Sequence, residues 1–415
     1  MRRLNFGLSD EQLEWRHHCR SFAEQVMRPV AAEHDRDQTI PWDAIAQARK
    51  WKLTGVDHLE RMGSDPDGLF PAIYAEELHW GCAGISLAIS GSGLAAAGII
   101  ASGTPDQIAR WVPECFGQDE EIKLGAYAVT EAHAGSDVAS LRTTAELDGD
   151  EWVLNGTKVF ITNGGIADVH VVVATVDAQL AHRGQASFLV PKGTPGLAQG
   201  KKEDKLGIRA SHTAEVVLDD CRIPREYVLG GIDRLDEKLR LARTGGARGR
   251  SSGTLATFEL TRPYVGAAAV GIAQAAYEWT LAYLEDRSEA GQALIEQQRI
   301  QQVLADVATE IEAARMLVWR AAWMARNGIP MTGGQGSMSK LKGADVAMWA
   351  VPSLMDLVGP YAQTTECPLE KWYRDAKIYQ IFEGAAQIQR LVIARLQRQE
   401  YSARAVVDPR ADRAA

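Results

Sequence analysis

At about residue 121 the hydrophobic period of this chain changes from helical to alternating, and near residue 258 it changes back. A period of 3.6 buries one stripe of a helix and a period of two buries one face of a strand. A chain that carries the two in blocks therefore cannot fold as one uniform bundle or barrel. Ahead of the first switch, Ser9-Asp10-Glu11-Gln12 reads as a helix N-cap with acids in the first turn. Apolar Leu13, Phe22, Val26 and Val30 follow, and further helices are predicted over 69–80, 85–101 and 104–115. Past the switch, 143–147 and 152–155 alternate on either side of Asp148-Gly149-Asp150, a hairpin signal, and 169–175, 187–191 and 213–218 are strand-like. From Phe258 onward amphipathic stretches cover 258–286, 292–327, 335–358 and 384–400, with breaks at Gly291, Gly328-Ile329-Pro330 and Gly359-Pro360. The expected fold class is α+β and multi-domain: a helical domain over 1–120, a β-sandwich or barrel over 121–229, a helical bundle over 258–400 and a polar tail over 401–415. Residues 230–257, with Arg234, Lys238, Arg240, Arg243, Arg248 and Arg250 among Gly and Ser, read as a basic insertion forming a solvated, mobile loop.

With 415 residues, 46% of them hydrophobic, there is ample material for two or three cores. The net charge of −9 argues against a general affinity for nucleic acid or an anionic membrane. Five scattered cysteines, none in a CxxC, suit a reducing cytoplasm and argue against a disulfide framework or a zinc site. His17-His18-Cys19 has no second ligand pair, so no metal is expected. Arg2 and Arg3 are not followed by the apolar core of a signal peptide, and a cytoplasmic location is expected. The uncharged run 80–105 is interleaved with Gly and Ser, as a closely packed core helix would be, and no membrane span is expected.

Three stretches carry chemistry. Glu383 is a lone carboxylate between Phe382 and Gly384, and the helical spacing of Ile388, Leu391, Val392 and Leu396 puts it at or just before a helix N-terminus. It is either an ordinary first-turn acid or a base whose pKa is raised by apolar surroundings. The loops Ala126-Tyr127-Ala128-Val129-Thr130-Glu131-Ala132-His133-Ala134-Gly135-Ser136-Asp137 and Lys158-Val159-Phe160-Ile161-Thr162-Asn163-Gly164-Gly165 are rich in small residues and hydroxyls. Loops of this kind can bond the edge of a planar heteroaromatic ring and its phosphates. Singly, each is more often a turn.

Together these stretches resemble the acyl-CoA dehydrogenase family. Val129-Thr130-Glu131 with Gly135-Ser136-Asp137 matches one family signature. Gln380-Ile381-Phe382-Glu383-Gly384 with Gln387-Ile388-Gln389-Arg390 matches the other, and the similarity runs from about Leu8 to about Gln397. The resemblance implies a C-terminal four-helix bundle, FAD as cofactor and a homotetramer or homodimer. It implies that Tyr127, Val129, Thr130 and Phe160 border the flavin, Thr162 lies near its N5 edge, and Gly135 and Ser136 lie by the pyrophosphate and the substrate. Arg287 and Gln298 would reach the FAD of a neighbouring subunit, and Gly359 and Gln387 would contact FAD again. Glu259, Arg262 and Gly384 would border the acyl-CoA thioester. Glu383 would take the α-proton while the β-hydride passes to flavin N5, with electrons leaving to an electron-transferring flavoprotein. Some branches carry the base earlier, at a position that is Thr261 here and cannot serve.

The pattern has departures. Asp356-Leu357-Val358-Gly359-Pro360 stands where the family usually has Gln-Ile-Leu-Gly-Gly; Ala385 replaces a Thr, Ala290 a Phe and Phe160 a Trp. The basic insertion, through Arg248 and Arg250, is a candidate to bind the CoA 3′-phosphate or an acidic carrier protein. Two other readings stay open: an acyl-thioester oxidase or carrier-protein-specific acyl dehydrogenase, and a scaffold member that has lost FAD.

Overall fold

The computed structural model describes residues 7–118, 121–244, 253–289 and 291–407, with the backbone alone for 253–260 and 403–407. Eight helices come first: α1 (Asp10–Phe22), α2 (Ala31–Asp37), α3 (Trp42–Lys50), α4 (Val56–Ser64), α5 (Phe70–Gly81), α6 (Ala83–Ser90), α7 (Ser92–Ser102) and α8 (Pro105–Glu114). Seven strands follow: β1 (Gly125–Ala128), β2 (Thr144–Asp148), β3 (Glu151–Thr162), β4 (Val169–Thr175), β5 (Gln185–Pro191), β6 (Leu197–Lys202) and β7 (Thr213–Pro224). The C-terminal part holds α9 (Ile232–Arg243), α10 (Gly253–Glu285), a small hairpin of β8 (Ser288–Glu289) and β9 (Gln292–Ala293), then α11 (Gln298–Arg326), α12 (Gln335–Val358), α13 (Pro368–Lys377) and α14 (Ala386–Val407). The helix, sheet and helix order expected from the two changes of period is present.

By contact the chain forms two compact units. The helical unit joins residues 1–28 and 61–83 to 259–415. The capping box at Ser9 and Gln12 opens α1, and Gln12 Nε2 also donates to the buried Asp65 carboxylate at 3.1 Å. Asp65 in turn accepts the N–H of Phe70 at the start of α5 at 3.0 Å, so two helix starts share one carboxylate. Trp15, Phe22, Phe70 and Leu78 are buried. Between α10 and α12 the backbones come close: a Cβ on Gly343 would lie 2.5 Å from the Gly266 carbonyl oxygen, which only glycine permits.

The sheet unit joins residues 29–60 to 84–258. Its seven strands form one sheet in the order β1-β4-β2-β3-β7-β6, with β5 paired to β4. The predicted hairpin is β2–β3, and Gly149 takes φ 62° at its tip. Trp152, Leu154, Val172, Phe188, Val216 and Ile223 build the core over the sheet, and Ala95, Ile99 and Trp111 build a second cluster against β4 and β5. Within the run 80–105, α6 and α7 follow one another through Gly91, which keeps helical dihedrals; the stretch Ala83–Ser102 is long and apolar enough to cross a membrane, and 61% of its most apolar window is buried in the protein.

The loop expected over 230–257 is corrected. Residues 232–243 form α9, which buries Leu235 against the sheet core with Ile232 and Leu239 beside it. Its basic side chains are engaged locally: Arg243 with Asp177 at 2.9 Å, Lys238 with the Gln185 carbonyl and Arg240 with Glu237. Apolar residues at 232, 235, 239 and 242 carry a helical stripe that the density of charge obscures. Arg248, Arg250 and Ala290 lie outside the described residues.

Candidate functional site

Glu383 lies in the turn between a 3-10 segment, Ile378–Gln380, and α14. Both Glu383 (φ 53°) and Gly384 (φ 95°) take the left-handed region, a costly conformation for a glutamate. The residue as a whole is partly exposed, but its carboxyl group is buried. The Thr261 hydroxyl on α10 donates to Glu383 Oε2 at 3.0 Å. Burial pushes this carboxyl above the usual range, while the Thr261 bond and the charges of Lys340 and Arg262 pull it back. Arg262 is buried and donates to Ser337 Oγ on α12 at 3.3 Å. The structure thus brings together Glu383, Gly384 and Arg262, and adds Thr261, Ser337, Lys340 and Gln389. The Glu383 N–H donates to no backbone carbonyl among the described residues. Glu259 lies on α10, with its side chain outside the described residues.

The other candidates of the helical unit lie elsewhere on it. Arg287 is exposed and folds back on its own helix, donating to the Tyr283 carbonyl at 2.9 Å with its guanidinium 3.4 Å from the Tyr283 ring centroid. Tyr283 stacks on Tyr361, so Arg287 and the segment after Gly359 share one aromatic ladder. Gln298 and Gln387 are exposed. Pro360 sits at the start of a 3-10 turn, Gly359–Gln363, where its missing N–H would have had no partner within the turn.

In the sheet unit, Tyr127 to Thr130 run off the end of β1 beside β3, and Val159 N–H donates to the Thr130 carbonyl at 2.9 Å. Lys158 is fully buried and donates to the Val129 carbonyl at 2.9 Å and to Glu131 at 2.8 Å. Burial alone would raise the Glu131 carboxyl; the Lys158 ammonium and the Thr143 hydroxyl overcome it and hold it ionised. A register shift between Lys158 and Ile161 bulges β3, giving Phe160 φ 57° and leaving it 65% exposed. Gly135 and Ser136 are exposed beyond the tight turn between Glu131 and Ala134, and a Cβ on Gly135 would meet nothing within 4 Å. The loop after Thr162 is pinned by two histidines: Gly165 N–H donates to His170 Nε2 and His212 Nε2 meets the Gly164 carbonyl, both at 3.1 Å.

Three family models describing the N-terminal, middle and C-terminal domains of acyl-CoA dehydrogenase match residues 9–118, 126–221 and 252–397. The chain belongs to the acyl-CoA dehydrogenase family. The rat mitochondrial short-chain specific acyl-CoA dehydrogenase is 38% identical over 379 residues, 91% of this chain and 87% of that protein. The butyryl-CoA dehydrogenase structure from Megasphaera elsdenii superposes with a TM-score of 0.83 at 33% identity, covering 94% of this chain and 99% of that one. The structure of the prolyl acyl carrier protein oxidase AnaB is also similar, with a TM-score of 0.82 at 28% identity over 94% of this chain and 99% of that one. Acyl-CoA dehydrogenases use FAD, and the residues here fit it. The strained backbone at Phe160 keeps an aromatic ring exposed, and the backbone at Gly135 is open, features compatible with a planar ligand and its phosphates.

Proposed function

We propose that this chain carries out the α,β-dehydrogenation of an acyl thioester to the trans-2-enoyl thioester, with Glu383 as the base that takes the α-proton. The observation that carries this is the Glu383 carboxyl itself. It is buried, its pKa is raised by burial, and it is tethered by Thr261 beside two cations and next to a backbone N–H that meets no backbone carbonyl among the described residues. A thioester α-proton is weakly acidic, so its removal needs a base in contact and a donor for the oxygen that gathers charge. The Glu383 N–H supplies that donor. Thr261 fixes one carboxylate oxygen and leaves the other to reach the substrate. FAD, when bound, supplies the acceptor for the β-hydride. Tyr127, Val129, Thr130, Gly135, Ser136, Phe160, Thr162, Gly359 and Gln387 would contact it, and Arg287 and Gln298 would reach the FAD of a neighbouring subunit in a homodimer or homotetramer. An electron-transferring flavoprotein would be the acceptor of the electrons that bound FAD takes up, and Arg262 and Gly384 would border the thioester.

Anaerobic mixing with a panel of acyl-CoAs tests this through loss of the oxidised flavin absorbance. Glu383→Gln should keep bound FAD and lose bleaching by at least about a thousandfold, as expected for removing a positioned general base. Bleaching at the wild-type rate would defeat the assignment. The likeness to a carrier protein oxidase supports including carrier-bound thioesters and a peroxide assay in the panel.

A further inference from the structure

We infer that Lys340 is a positioning residue for this reaction: its buried ammonium, bonded to the Gly384 carbonyl, holds the Glu383–Gly384 turn in place and supplies the positive charge against which the base ionises. The inference rests on Glu383 being that base. Lys340 is fully buried on α12, one turn after Ser337, the partner of Arg262. Its Nζ donates to the Gly384 oxygen at 2.8 Å. Gln389, also fully buried, donates to the same oxygen at 3.2 Å and to the Glu383 oxygen at 3.3 Å. Two donors from two helices thus grip the two peptides whose left-handed conformation aims the carboxylate.

A buried ammonium is costly unless a negative charge faces it. The charged groups facing Lys340 are Glu383, Arg262 and Asp345. Asp345, five residues on along α12, is already bonded to Gln380 at 2.8 Å and to Arg390 at 2.5 Å on either side of the turn. Among the described residues, Glu383 is therefore the carboxylate left for Lys340. Facing Glu383 are Thr261 and Arg262 from α10, Lys340 from α12 and the neutral Gln389 from α14; the side chains of 251–260 lie outside the described residues. Burial, first, and the Arg262 charge bring the Lys340 ammonium down to about 8, so it stays charged at neutral pH.

Lys340 and Gln389 grip the same peptide, but only one of them is charged, and this separates charge from geometry. The measurement is the rate of flavin bleaching by saturating acyl-CoA against pH, in the FAD-loaded protein. Lys340→Gln should move the acidic limb up by about one pH unit, a tenfold loss on that limb, because loss of a nearby opposite charge shifts a carboxylate by that order. Lys340→Arg should leave the limb where it is. Gln389→Ala should slow bleaching at every pH without moving the limb. An unmoved limb in Lys340→Gln, or an equal shift in Lys340→Arg, overturns the inference. If Lys340→Gln does not fold alone, it is made in the Glu383→Gln background. Recovery of a folded, FAD-binding protein there supports the pairing, and equal failure in both backgrounds shows a structural lysine and overturns it. Wild-type bleaching by Glu383→Gln would instead remove the base assignment, whatever the Lys340 variants do.

Discussion

His170 shows how single residues of this protein are committed by burial. It is fully enclosed in β4, its Nε2 accepts the Gly165 N–H, and burial lowers its pKa to about 4. In an unfolded chain a histidine titrates near about 6.5. As pH falls from there, the unfolded chain takes up a proton that the folded one refuses, so stability is full above about 6.5 and is lost progressively down to about 4, by about 3 kcal/mol in all. His170→Gln, which keeps an acceptor for Gly165 and does not titrate, should flatten that part of the acid limb in denaturant titrations at a series of pH values. An unchanged slope would show that His170 is not the titrating group. His79, buried on α5 and also lowered to about 4, keeps its own share of the slope in that variant. The same logic at Glu383 runs the other way, because burial there favours the proton and leaves a base that binds it more tightly than a surface glutamate.

Among the elements, α9 separates what a sequence displays from what holds it. Its charges are conspicuous, yet the pairs they form lie at the surface, where such pairs contribute little. Its attachment is the apolar stripe, with Leu235 only 5% exposed in the sheet core. Leu235→Ala should lower the stability of the sheet unit by about 2–4 kcal/mol, the usual cost of emptying a buried leucine site. Arg240→Ala should leave the denaturation midpoint unchanged. Comparable losses in both variants would mean that the ion pairs, not the stripe, dock this helix. β6 and α13 were also hidden in the sequence: β6 has alternate positions that are polar or small, and α13 is a short segment between two turns whose buried face is only Leu369, Trp372 and Ala376 with Lys371 and Asp375.

At the scale of the whole molecule, the departures at Asp356, Pro360 and Ala385 ask whether FAD still stabilises the protein. Pro360 occupies a position that needs no N–H within its turn, and Gly359 takes φ 78° just before it. Removing FAD should lower the melting temperature, and adding it back at about a hundred times its Kd should restore about 2.7 kcal/mol of apparent stability. A melting temperature indifferent to added FAD, in a colourless protein, would favour the scaffold reading instead. The two compact units each draw on distant parts of the chain: residues 1–28 and 61–83 join the C-terminal helices, while the helices in between join the sheet. Blocks of hydrophobic period cannot reveal this, because period reports which face is buried and not against what.

The sequence by itself determined the order of helix, sheet and helix and the β2–β3 hairpin, and its two family signatures marked the stretches that carry Thr130, Gly135 and Glu383. The first two are written in local spacing, and the signatures in short runs of residues. Only the tertiary structure decided which groups serve them. Lys340 reaches Gly384 across 44 residues and Lys158 reaches Glu131 across 27. In the sequence each is a lysine like any other. What makes them different is a fully buried ammonium, and burial is a property of everything packed around a residue, which no window of sequence contains. Glu383 was singled out by the family signature around it rather than by its local spacing, and the cations that face its carboxylate come from α10 and α12.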